Sequence, residues 1–79
     1  MNKKGTKKDY RYAFEKGWSQ IIIRNEKTAR AEIMELFGFS TIQAFRNRKA
    51  GKGVLEVHHY NGLVKIFEKY GITEIWGKV

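Results

Sequence analysis

The sequence predicts an all-α protein, a small helical bundle of four to five short helices. Three observations carry that expectation. Three stretches are helix-like, and two of them place apolar residues three and four apart, the pattern of a helix with one buried face. Each stretch runs into a glycine (Gly38, Gly51, Gly71), the residue that most readily takes the left-handed conformation closing a helix. No proline interrupts any of them in a chain of 79 residues.

In chain order, residues 1–8 carry Lys3, Lys4, Lys7 and Lys8 with no acid and no apolar run, and read as a flexible basic tail. Residues 9–79 then form one domain. Tyr10, Phe14 and Trp18 recur at helical spacing and predict a short helix at roughly 9–16, although Tyr10, Tyr12 and Phe14 also alternate like a strand. Ile21, Ile22 and Ile23 are β-branched, which predicts an extended segment over 19–24. A helix over Asn25–Phe37 opens on Asn25 or Thr28 as cap and sets Ala29, Ile33, Leu36 and Phe37 on one face. Thr28 and Glu32 stand one residue too far apart for a capping box.

The next helix starts after Ser40, a favourable N-cap, and spans Thr41–Lys49. The last covers about His58–Tyr70, with Leu63, Ile66, Phe67 and Tyr70 as its buried stripe. Gly62 inside it reads as a defect of about 1 kcal/mol relative to alanine. The ending around Ile72, Ile75 and Trp76 is apolar and is expected to fold back onto the core or onto another subunit.

Composition narrows the function. The chain has no cysteine, which removes disulfides and thiolate metal sites. Its longest apolar run is Ile21–Ile23, far short of the roughly 20 residues that cross a bilayer. The formal net charge is +8, from 16 basic and 8 acidic residues. Residues 1–8 supply +4, residues 40–53 supply another +4 through Arg46, Arg48, Lys49 and Lys52, and the remaining eight basic and eight acidic residues cancel. Charge concentrated in one tail and one helix points to a polyanion, where a merely solvated surface would scatter it.

A helical wheel of 41–49 turns Phe45, Ala44, Thr41 and the stem of Arg48 inward. Gln43, Arg46, Asn47 and Ala50 face out, with Ile42 and Lys49 on the flanks. Arginine bonds guanine bidentately, glutamine and asparagine do the same with adenine, and Ile42 suits a thymine methyl. Gln43, Arg46, Asn47 and Ile42 are therefore the candidate base contacts. Ser40 and Thr41, at a helix start, suit a phosphate oxygen. Lys49, Lys52, Lys3, Lys4, Lys7 and Lys8 would add salt-sensitive affinity to the backbone.

The run Ala31-Glu32-Ile33-Met34-Glu35-Leu36-Phe37-Gly38-Phe39-Ser40, the helix that follows it, and the ending Tyr70-Gly71-Ile72-Thr73-Glu74-Ile75-Trp76-Gly77 resemble a known group. They are similar to the lambda-repressor-like (Cro/repressor) helix-turn-helix fold, and more closely to small bacterial proteins of phage and mobile-element type. The resemblance covers about residues 28–77. It implies a compact helical domain inserting 41–49 into double-stranded DNA, often as a homodimer, with Thr41, Gln43, Arg46 and Asn47 at the interface. Met34 departs from it, standing where alanine is usual.

No catalytic arrangement, cofactor motif or small-molecule site is evident, so the expectation is a non-enzymatic, cytoplasmic, nucleoid-associated regulator acting by occupancy. His58 and His59 are adjacent, so on a helix their side chains should diverge by about 100°. With no Asp, Glu or Cys at ligand spacing to both, metal binding is not expected. Two other classes remain open. One is a protein-interaction module (an antitoxin or phage accessory factor) using Ile21–Ile23 and Ile72–Trp76 as apolar edges. The other is RNA binding through the same basic block.

Overall fold

In a computed structural model, residues 12–53 and 55–79 are described, and they form an all-α domain of four helices: α1 (Glu15–Trp18), α2 (Ile23–Phe37), α3 (Ile42–Lys49) and α4 (Val57–Lys69). The tail lysines Lys3, Lys4, Lys7 and Lys8, and the first three residues of the helix expected over 9–16, lie outside the described residues. Among the described residues, no helix is long and apolar enough to cross a membrane.

Three of the helices end as the glycines predict. At Gly38 (φ 77°) the Phe39 amide donates to the Met34 carbonyl at 2.9 Å, and the Gly38 amide to the Glu35 carbonyl at 3.2 Å. This is a Schellman closure, which satisfies carbonyls the helix leaves unpaired and needs a left-handed residue at its centre. The same pair of bonds closes α3 at Gly51 and α4 at Gly71.

The helix starts were less legible. α2 begins at Ile23 rather than at Asn25, with Ile22 in extended conformation and no side-chain cap. The segment expected to be extended over 19–24 is thus a turn that passes into helix. The isoleucines do different jobs: Ile21 is 6% exposed in the core, whereas Ile22 and Ile23 are 52% and 85% exposed. Burial of Ile21 fixes where the chain turns, and this outweighs the strand preference of the triplet. The first helix is likewise shorter than expected and displaced, because residues 12–14 are engaged elsewhere. The Phe14 amide donates to the last carbonyl of α3, Lys49, at 3.0 Å, and Phe14 pairs with Gly77 in a single parallel bridge.

That bridge belongs to a return of the C-terminal segment across α1. Gly77 donates to Ala13 at 2.7 Å and accepts from Lys16 at 3.0 Å, while the Gly17 amide donates to Ile75 at 2.9 Å. A Cβ on Gly17 would stand 3.0 Å from the Ile75 backbone, so this close approach depends on glycine. Ile72 and Ile75 are buried, so the ending folds onto its own core. The core unites Phe14, Ile33, Phe45, Leu63 and Phe67 with these two isoleucines and with Ala29 and Ile21.

α2 packs most extensively against α4 and also against α3. At Gly62 the Leu36 side chain of α2 lies close against α4: a Cβ there would lie 2.5 Å from Leu36 Cδ1 and 2.8 Å from Cδ2. What reads as a helix defect is therefore a seat for Leu36. Gly62→Ala alone should fail to deliver the propensity gain of up to about 1 kcal/mol, because Leu36 must move. In a Leu36→Ala background the same change should stabilise by most of that amount, which paired denaturant titrations would measure.

Glu32, too far from Thr28 for a capping box, instead ties α2 to the end of α4. It accepts a hydrogen bond from Tyr70 Oη at 3.1 Å and pairs with Lys69 Nζ. The Lys69 hydrogen bond, helped by that from Tyr70, lowers the Glu32 pKa below its ordinary value despite the opposing effect of partial burial. A carboxylate held below its unfolded pKa contributes stability that is full above that value and is lost as pH falls through the folded one. Stability should therefore decline as pH drops below about 5, and Glu32→Gln should flatten that limb while costing on the order of 1 kcal/mol at neutral pH.

Candidate nucleic-acid interface

α3 owes its position to one inward residue. Phe45 is 3% exposed, and its ring meets Phe14 at a centroid distance of 6.0 Å and Trp18 at 5.0 Å, both edge to face. Offset and edge-on aromatic pairs of this kind add to area burial. With Phe45 anchored, Ile42, Gln43 and Arg46 of the eight-residue helix are exposed, and its other residues are half-buried.

The cap is Thr41, not Ser40. Thr41 is extended, and its Oγ1 accepts from the Ala44 amide at 3.2 Å. Thr41 is also exposed rather than inward, because a cap residue precedes the helical wheel. The turn uses one more residue than expected, and within it Phe39 stacks on Phe37 at 5.1 Å with rings nearly parallel.

Of the candidate base contacts, Ile42, Gln43 and Arg46 are exposed and Asn47 is half-buried. Gln43 Nε2 donates to Asn47 Oδ1 at 3.1 Å, an i,i+4 pair that orders both amides on one stripe. Of the candidate backbone contacts, Ser40, Thr41 and Lys52 are exposed and Lys49 is half-buried, with its Nζ 5.8 Å from the Phe45 ring. Ala50, expected on the outer face, is half-buried.

Arg48 has a structural role that the wheel only half anticipated. Its guanidinium lies 5.3 Å from the Phe37 ring and 5.6 Å from Phe39, bridging the end of α2, the turn and α3 through cation–π contacts. The signal was the pair of phenylalanines flanking Gly38, but nothing in spacing alone assigns Arg48 to them.

No acid lies between residues 40 and 53. Among the described residues, Lys16 pairs with Glu74 at 3.1 Å, Lys78 with Glu15 at 3.4 Å and Lys69 with Glu32. Arg46, Lys49 and Lys52 take part in none of these ion pairs. Glu15, Glu32 and Glu74 are thus paired away from α3, which carries Arg46, Arg48 and Lys49 and no acid.

The two histidines differ from expectation. Their rings do not diverge: the centroids are 4.0 Å apart, and Glu56 Oε1 stands 3.6 Å from His58 Nδ1. Residue 58 is in the first turn of α4, where side chains bend back toward the N-terminus, and Phe37 supports His59 from below at 4.3 Å.

This defines the class as a small all-α domain presenting one short cationic helix. No family model, curated protein or solved structure matches the chain.

Proposed function

We propose that the protein is a sequence-specific double-stranded DNA-binding regulator of the helix-turn-helix kind. In this reading α2 braces α3, and α3 enters the major groove. The observation that carries it is the outer face of α3, where Gln43, Arg46 and Asn47 stand together, no acid is present, and Arg46, Lys49 and Lys52 lie outside the ion pairs above. Arg46 would read guanine and the ordered Gln43–Asn47 pair would read adenine. Ile42 would touch thymine, and Ser40, Thr41, Lys49 and Lys52 would hold phosphates. The regulator acts by occupancy, and one short helix reads so few base pairs that it binds as a homodimer.

Selection from a random duplex pool near physiological salt tests this. An enriched motif, repeated with inversion about one helical turn apart, is the expected result. Retention without enrichment would point instead to backbone or RNA binding, and no retention would leave α3 a solvated face. The protein-interaction reading loses part of its surface, because Ile72 and Ile75 are buried in the core; of its proposed edges Ile22 and Ile23 stay exposed.

A further inference from the structure

A second polar cluster, sharing no residue with α3, lies at the start of α4. Glu56, His58 and His59 each place one potential ligand atom within 4.8 Å of the others. Glu56 and His58 are exposed, while His59 is half-buried against the Phe37 ring. His59 Nδ1 is the single buried side-chain polar atom without a hydrogen-bond partner among the described residues. Such an atom carries a desolvation cost that a ligand would relieve.

We propose that Glu56, His58 and His59 form a binding site for a divalent first-row transition ion of the zinc type. Two imidazoles and one carboxylate, with no thiolate, are the donor set that favours Zn2+, Ni2+ or Cu2+ over Mg2+ and Ca2+. Ligand atoms bonded to one tetrahedral zinc at about 2.0–2.1 Å stand roughly 3.4 Å apart. Closing from 4.8 Å to that spacing asks movement of Glu56 and His58, which are exposed, while His59 packs against Phe37. The Glu56 carboxylate offsets the positive N-terminal end of α4 and the Arg48 charge, both of which oppose a cation. Three protein ligands leave the remaining positions to water.

The test is calorimetric titration of the full chain with Zn2+ near neutral pH, with Mg2+ as control and thermal melts in parallel. One ion per chain should bind at roughly 10 μM or tighter, and raise the melting temperature by mass action. Glu56→Gln and His58→Gln should each weaken Zn2+ by at least about tenfold and abolish the thermal shift. Both positions are exposed and the Glu56 side chain makes no cap hydrogen bond, so far-UV circular dichroism should be unchanged. Absence of binding, binding that survives both substitutions, or half an ion per chain with dimerisation would each overturn the intrachain site.

Discussion

Phe14→Ala is expected to destabilise the domain by about 3–5 kcal/mol, the usual cost of deleting a buried ring. Phe14 is fully buried, and its ring meets Phe45 at 6.0 Å and Phe67 at 6.1 Å, so it joins α3 to α4. Its backbone also receives the ends of two other segments, Lys49 of α3 and Gly77 of the C-terminal return. The backbone bonds survive the substitution, but the cavity opens where three elements meet and none can collapse alone. A domain this small has a total stability of roughly 5–10 kcal/mol, so the variant should be close to unfolding at ambient temperature. Urea titration followed by tryptophan fluorescence would report it, since Trp18 packs on Phe45. A loss under about 1 kcal/mol would mean that residues 12–14 do not dock in solution.

Arg46→Ala is the second large effect, and it falls on binding rather than stability. Arg46 is exposed, so folding stability should change by no more than about 0.5 kcal/mol. Affinity for the selected motif should fall by about 1–3 kcal/mol, roughly 5- to 150-fold, while affinity for unrelated duplex falls far less. Lys52→Ala makes the contrast: it should weaken all duplexes alike and reduce the salt slope by about one. Equal loss on both kinds of DNA for Arg46→Ala would reassign that side chain to the phosphate backbone. Asn47→Ala would then test whether the Gln43–Asn47 pair reads a base, because it also releases the Gln43 amide.

The all-α class, the three helix ends and the inner faces of α2 and α4 were legible in the sequence, because each rests on local physics. A left-handed glycine closes a helix through bonds within six residues, and Ala29, Ile33, Leu63 and Phe67 mark buried stripes by spacing alone. The exposed Gln43 and Arg46 follow from the same wheel once Phe45 points inward. What tertiary structure decided has long-range causes. The displaced first helix follows from Phe14 being claimed by Lys49 and Gly77, and the value of Gly62 from Leu36 on another helix. The cap falls on Thr41 rather than Ser40, and Arg48 finds its seat over Phe37 and Phe39. His59 likewise packs against Phe37 of α2. Phe14, Gly62, Arg48 and His59 each meet a partner on another element, and periodicity, which compares only near neighbours, carries no record of it.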